Sequence, residues 1–198
     1  IQTSITVKKL VARIETTPEA IADSMKSEYA FVSARKDESN RMVDNIARRE
    51  EHLLCQDGRG VLGLVADASP TSGTTLTLDS PGGVAGANFG NRYYQPGMYI
   101  ALVNPATGVL RASSAVKVVS CSEDGTSIVI SAAPTNGADN DYVVQAANGS
   151  VSDLLDTSYE QAFWGVMGLF DDGTYRRNYF GIDRDVFTSH STYVKAAT

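Results

Sequence analysis

His52 and Cys55 lie three residues apart, a spacing that puts both on one face of a helix. They could give two metal ligands, or a thiol beside its base. A structural zinc site takes four Cys or His ligands, and nothing in the sequence supplies the second pair. Gly58-Arg59-Gly60-Val61-Leu62-Gly63 spells the glycine pattern of dinucleotide sites. That chemistry needs a strand before the glycines and a helix after them, so that a pyrophosphate meets a helix N-terminus. Here the order is reversed, and the glycines are expected to end a helix and lead into a strand. Asp171-Asp172 and Asp183/Asp185 could bind Ca²⁺ or share acid–base work, but EF-hand spacing is missing, and turns and helix starts account for them equally well. His190 could join Asp183 or Asp185 in a hydrolytic triad, yet no nucleophile-elbow sequence accompanies it. No catalytic residue, cofactor or metal is therefore assigned.

The remaining candidates suit contacts between proteins. Arg48-Arg49 and Arg176-Arg177 can pair with acids on a neighbouring subunit, because Arg binds carboxylates with two parallel hydrogen bonds. Arg92 adjoins Tyr93-Tyr94, and Tyr179 follows the second Arg doublet, the composition common in protein interfaces. These eight residues, Arg48, Arg49, Arg92, Tyr93, Tyr94, Arg176, Arg177 and Tyr179, form the candidate interface set. The same types could stack bases, but a net charge of −6 disfavours a phosphate backbone. Sequence-specific nucleic acid is not an expected partner.

Those residues sit in three stretches of differing composition. Residues 1–57 carry 19 charged side chains and residues 58–149 only 10. The first stretch opens with alternation at Ile5, Val7, Leu10, Ala12 and Ile14, which predicts a strand. Thr16-Thr17-Pro18-Glu19 then has the cap, the first-turn proline and the acid that start a helix. No Gly or Pro interrupts the chain from Pro18 to about Gln56. Ile21, Met25, Tyr29 and Val32, then Val43, Ile46 and Leu53, recur at helical spacing, with the polar run Ser33 to Arg41 between them. Asp37–Arg41 and Asp44–Arg48 are acid-then-base pairs four apart, each worth about 0.2–0.5 kcal/mol on a helix surface. One helix of nearly forty residues would span about 55–60 Å and would need a partner surface.

Residues 58–149 change period to short extended runs: Val61–Ala66, Thr75–Leu78, Met98–Val103, Val109–Ala112, Ala115–Ser120, Thr126–Ser131 and Tyr142–Gln145. Turns at Asn104–Gly108 and Glu123–Gly125 separate them, which predicts an inserted all-β domain, a small barrel or sandwich. Ser80–Asn91 is a loop by composition. Residues 150–198 return to apolar material, crowded between Leu154 and Phe170, that should be core.

Length and composition set the outer bounds. A chain of 198 residues with 42% apolar residues can bury a core without staples. No apolar run reaches about 18 residues, so no membrane-spanning helix is expected. Cys55 and Cys121, far apart in sequence, are expected to be free thiols. The opening at Ile1, with neither Met nor a signal-peptide pattern, suggests a processed or trimmed product.

Taken in order, these parts resemble the major capsid (coat) protein of tailed bacteriophages. The resemblance lies in the first strand and in the helix Thr16–Gly60 with its glycine exit. It continues in Arg92-Tyr93-Tyr94-Gln95-Pro96-Gly97-Met98 leading into a strand. Last comes Leu169-Phe170-Asp171-Asp172-Gly173 running on to Asn178-Tyr179-Phe180-Gly181-Ile182-Asp183-Arg184. It implies an α+β Hong Kong 97-like fold, with the long helix as spine of a peripheral domain (residues 1–57), the β insert (58–149) and the start of an axial domain (150–198). The family's usual N-terminal arm, and most of the axial domain expected after Val194, have no counterpart in this sequence. It further implies a non-enzymatic shell subunit of an icosahedral phage head, assembled in the host bacterial cytoplasm and resident in the virion. Its partners would be other copies of itself in capsomers, with scaffolding, portal or decoration proteins, and no membrane. The alternative reading is a phage-tail or extracellular β-domain binding module whose helix is an oligomerisation stalk.

Overall fold

A computed structural model describes residues 21–22, 28–67, 70–83, 89–170, 178–179 and 182–183. The strand expected over Ile5–Ile14 and the helix start at Thr16–Glu19 lie outside them, as do Asp171, Asp172, Arg176, Arg177, Asp185 and His190. The described chain is mixed α/β, and no described helix is long and apolar enough to cross a membrane.

Helix α1 spans Glu28–Leu54, 27 residues. It differs from the expected spine in more than length. A helix of nearly forty residues lying along an extended sheet is not seen among the described residues. Of the stripe read as apolar packing, Val32 and Val43 are exposed and Leu53, in the last turn, is buried. Helical spacing says which side chains share a face, but it does not say what covers that face.

Six strands follow: β1 (Val61–Val65), β2 (Thr75–Asp79), β3 (Tyr99–Val103), β4 (Val116–Cys121), β5 (Ser127–Ile130) and β6 (Tyr142–Ala146). They close into an antiparallel barrel in the order β1-β2-β5-β4-β3-β6. In β2 the alternation is plain: Leu76 and Leu78 point inward while Thr75, Thr77 and Asp79 face solvent. The interior holds Leu62, Leu76, Leu78, Tyr94, Ile100, Leu102, Val118, Ile128, Ile130 and Val143. Register shifts at Val61/Gly63 and Val118/Ser120 supply the extra bend that closing so small a sheet requires.

In β3 and β6 most residues are buried and none is exposed, because these strands are covered on both sides. Their outer residues Ala101, Val103, Val144 and Ala146 pack with Val61 of β1 and with Val151 and Tyr159 from the following segment. That segment is pinned by a short helical turn at Leu154–Asp156. Asp153 caps the turn, and the Asp156 carboxylate accepts from the Ser152 and Asp153 amides.

Two expectations fail here. Val109–Ala112 is not a strand: Leu110 makes a single bridge to Val103, after which Arg111 turns away to form a two-pronged pair with Asp141 at 2.6–3.1 Å. The Asp141 side chain is wholly buried and takes a further hydrogen bond from the Ala138 amide. That pair holds the loop, so local β pairing gives way to it. The second failure is the apolar run after Leu154, which is only partly core. Tyr159 and Ala162 are buried, whereas Leu155, Val166, Met167, Leu169 and Phe170 are exposed. The short helix α2 (Val166–Phe170) sits against the end of α1 through glycine. A Cβ on Gly165 would lie 2.2–2.7 Å from the carbonyl oxygens of Gln56, Leu53 and Leu54, and one on Gly168 would lie 2.6 Å from that of Asp57. Backbone fills the contact, and four large side chains are left outside it. Beyond α2, β7 (Asn178–Tyr179) pairs with β8 (Ile182–Asp183).

Candidate functional site

A dense, buried polar cluster lies where α1 ends and the barrel begins. Gly58 and Gly60 have φ of 84° and 72°, the left-handed conformation that lets a helix end and reverse. Between them Arg59 is turned inward. Its Nε donates to Asp57 Oδ2 at 2.5 Å, its Nη1 to the Tyr142 hydroxyl at 2.7 Å and its Nη2 to the Gly83 carbonyl at 3.4 Å. The guanidinium also lies 5.0 Å from the Tyr142 ring centre. Asp57 Oδ1 accepts from the Arg59 amide at 2.9 Å. Both charged side chains are nearly inaccessible, at 6% and 2% exposure.

The segment after the barrel closes over this turn. Ser158 Oγ donates to the Gly60 carbonyl at 2.7 Å and accepts from the Gln145 amide at 3.0 Å. The Glu160 amide donates to the Arg59 carbonyl, and the Gly168 amide to that of Gln56. One hydroxyl thus ties the helix exit to β6. Ser158→Ala leaves a buried carbonyl and a half-buried amide short of their partner, and is expected to cost about 1–3 kcal/mol in urea unfolding.

His52, on the last turn of α1, stacks on Tyr93 with ring centres 3.6 Å apart, and the Arg92 guanidinium lies 5.7 Å from the same tyrosine ring. Its Nε2 is buried and unpartnered among the described residues. Burial, reinforced by the positive charge of Arg49, lowers the His52 pKa to about 4. The fold therefore prefers the neutral ring. Its contribution is complete above the unfolded value of about 6.5 and is lost as pH falls from there toward 4. A full conversion at about 1.4 kcal/mol per pH unit overstates it, since the ring is partly exposed. A loss of about 1–2 kcal/mol between pH 7 and pH 4 is expected after that discount. In His52→Phe, which keeps an aromatic ring on Tyr93, urea midpoints should lose that part of their acid sensitivity.

The candidate interface residues separate. Arg92 and Tyr93 come to this joint beside His52. Arg48 is exposed on α1, while Arg49 is half-buried and carries a pKa lowered by burial. Tyr94 instead belongs to the barrel interior at 5% exposure, its hydroxyl buried without a described partner. Tyr179 lies in β7, away from those five in the chain, and Arg176 and Arg177 are outside the described residues. The sequence offered no sign of Tyr142 or Ser158, whose roles arise only from long-range closure of the barrel. Asp57 and Arg59 were visible as part of the glycine exit, though not as a buried pair.

Chemically, the joint holds parts together. Cys55 is an exposed free thiol and Cys121 is also free. The described residues contain no group of three His, Cys, Asp or Glu placed to hold a metal ion. A crevice beside Arg111, Ser114, Val116 and Pro134 has a volume of about 10 Å³, room for roughly one water. No family of known proteins matches this chain, and neither does any curated protein or solved structure. The order of helix, glycine turn and closed barrel thus stands on its own geometry.

Proposed function

We propose that this chain is a structural subunit that assembles with copies of itself, as the shell subunit of an icosahedral phage head, without catalysis. One observation carries the reading: α1 leaves the barrel with its surface open from Arg35 to Arg41 and at most positions to Glu51. A lone polar helix has little to hold it, since tertiary packing supplies most helical stability in proteins. Neighbouring subunits would supply that packing. The resemblance in the sequence gives the type of assembly. Arg48, Arg92 and Tyr93, with Arg176, Arg177 and Tyr179, would be contacts between subunits, where charge sets register more than affinity. Scaffolding, portal or decoration proteins would be further partners, and the virion the location.

Size-exclusion chromatography and negative-stain microscopy of the natural full-length product are expected to show shells or capsomers. A monomer that persists at high concentration overturns the reading. The same exposed helix below a closed barrel also suits a binding module on a helical stalk, and cross-linking that stops at three subunits would favour that second reading.

A further inference from the structure

The open side of α1 carries an order of its own. Val32, Val43 and Leu54 are eleven residues apart and are 61%, 59% and 53% exposed. Eleven residues advance an α-helix by about three turns plus 20°, so the three form one narrow stripe. Lys36, Ser39, Ala47 and Glu50 fall within about 40° of it and are also exposed. The stripe is symmetric about Val43. Val32 and Leu54 each lie eleven residues from it, Lys36 and Glu50 seven, Ser39 and Ala47 four.

We propose that α1 is the surface on which two copies of this chain meet, antiparallel, about a two-fold axis through Val43. In that register Val43 touches its own copy and Val32 lies over Leu54 at both ends. Lys36 faces Glu50 twice, and Ser39 faces Ala47. The contact is isologous, so one stripe serves both copies. Charge selects the direction, because two parallel helices in register would set Lys36 against Lys36 and Glu50 against Glu50, like charges that oppose pairing. From Val32 to Leu54 the contact runs about 33 Å. At the Leu54 end, α2 abuts the last turn of α1 and exposes Val166 and Phe170, further apolar surface near the end of the helix. Three apolar positions make a weak contact, suited to an assembly that adds many such contacts together.

This deepens the assembly reading and rests on it for the presence of many copies, yet the two fail separately. The full chain, with Cys55→Ser and Cys121→Ser to remove its native thiols, is the starting protein. Adding Val43→Cys should give a disulfide-linked dimer on mild oxidation, since residues at the axis come within bonding reach. Asn45→Cys, on the opposite face, should not. A mixture of Val32→Cys and Leu54→Cys chains should link to each other, while Val32→Cys alone stays monomeric. In sedimentation, Lys36→Glu and Glu50→Lys should each weaken dimerisation about tenfold, and the two together should restore it. Self-linking of Val32→Cys, failure of the double exchange to restore dimers, or no dimer at millimolar protein overturns the proposal. Normal shells from the Lys36→Glu chain would overturn helix pairing and leave the assembly reading intact. Dimers that never grow would sustain the pairing and remove the shell. The helix sites are all exposed, and Cys121, partly buried against the barrel interior, is replaced alike in every chain, so circular dichroism of each variant should match that of the starting protein.

Discussion

Gly60→Ala is expected to destabilise the protein by about 3–5 kcal/mol, enough to remove much of the stability of a domain this size. Two costs act together. Gly60 sits at φ 72°, where a side chain is strained, and its Cβ would lie 2.1 Å from the Ser158 carbonyl oxygen. That oxygen belongs to backbone, so relief requires moving the segment that covers β6. Gly97→Ala separates the two costs, because Gly97 has φ 94° with nothing within 4 Å of its added carbon. It should lose about 1 kcal/mol, from the backbone conformation alone. Urea unfolding of both variants, followed by tryptophan fluorescence and circular dichroism, checks the ranking. Equal losses would show that the Ser158 segment yields easily.

The second large effect is expected at Arg59. Arg59→Ala strands the Asp57 carboxylate in a site where it is 2% exposed. It also leaves the Gly83 carbonyl and the Tyr142 hydroxyl without this donor. Removing one member of a buried ion pair typically costs about 3–5 kcal/mol, and that loss is expected in urea unfolding. Arg59→Lys should rescue little, since an ammonium cannot reach three partners in one plane. Asp57→Asn keeps an oxygen for the Arg59 amide and removes the charge. Combined with Arg59→Leu it should cost less than the two single changes added together, by about 1–3 kcal/mol. Strict additivity would mean that the two side chains act independently, contrary to the geometry.

Much of the barrel was legible because each strand lies between a packed interior and another environment that marks the sequence. Leu76 and Leu78 alternate with Thr75, Thr77 and Asp79, and the turns at Gly108 and Gly125 have the positive φ that their residues suggested. The helix exit was legible for the same reason, since Gly58 and Gly60 have few other uses between a helix and a strand. Closure was not legible. Tyr94 reads as a surface aromatic beside Arg92, but its ring packs with the barrel interior. Val109 to Arg111 has strand-like composition, yet the buried Asp141 carboxylate draws Arg111 out of line. The candidate joint was half visible. His52 stood out as a ligating residue, whereas its stacking partner Tyr93 comes from 41 positions further along. Val32 and Val43 share the helical spacing of packed residues yet are exposed, because periodicity cannot tell a covered stripe from an open one.

The ring of strands has a consequence for crowding. Every strand from β1 to β6 has hydrogen-bonding neighbours on both sides, so the ring offers no open edge on which a foreign strand could template itself. Copies packed shoulder to shoulder would thus be shielded from the runaway sheet growth that leads to fibrils. Through the ring, copies would have to recognise one another by side chains rather than by added strands, which keeps such contacts reversible.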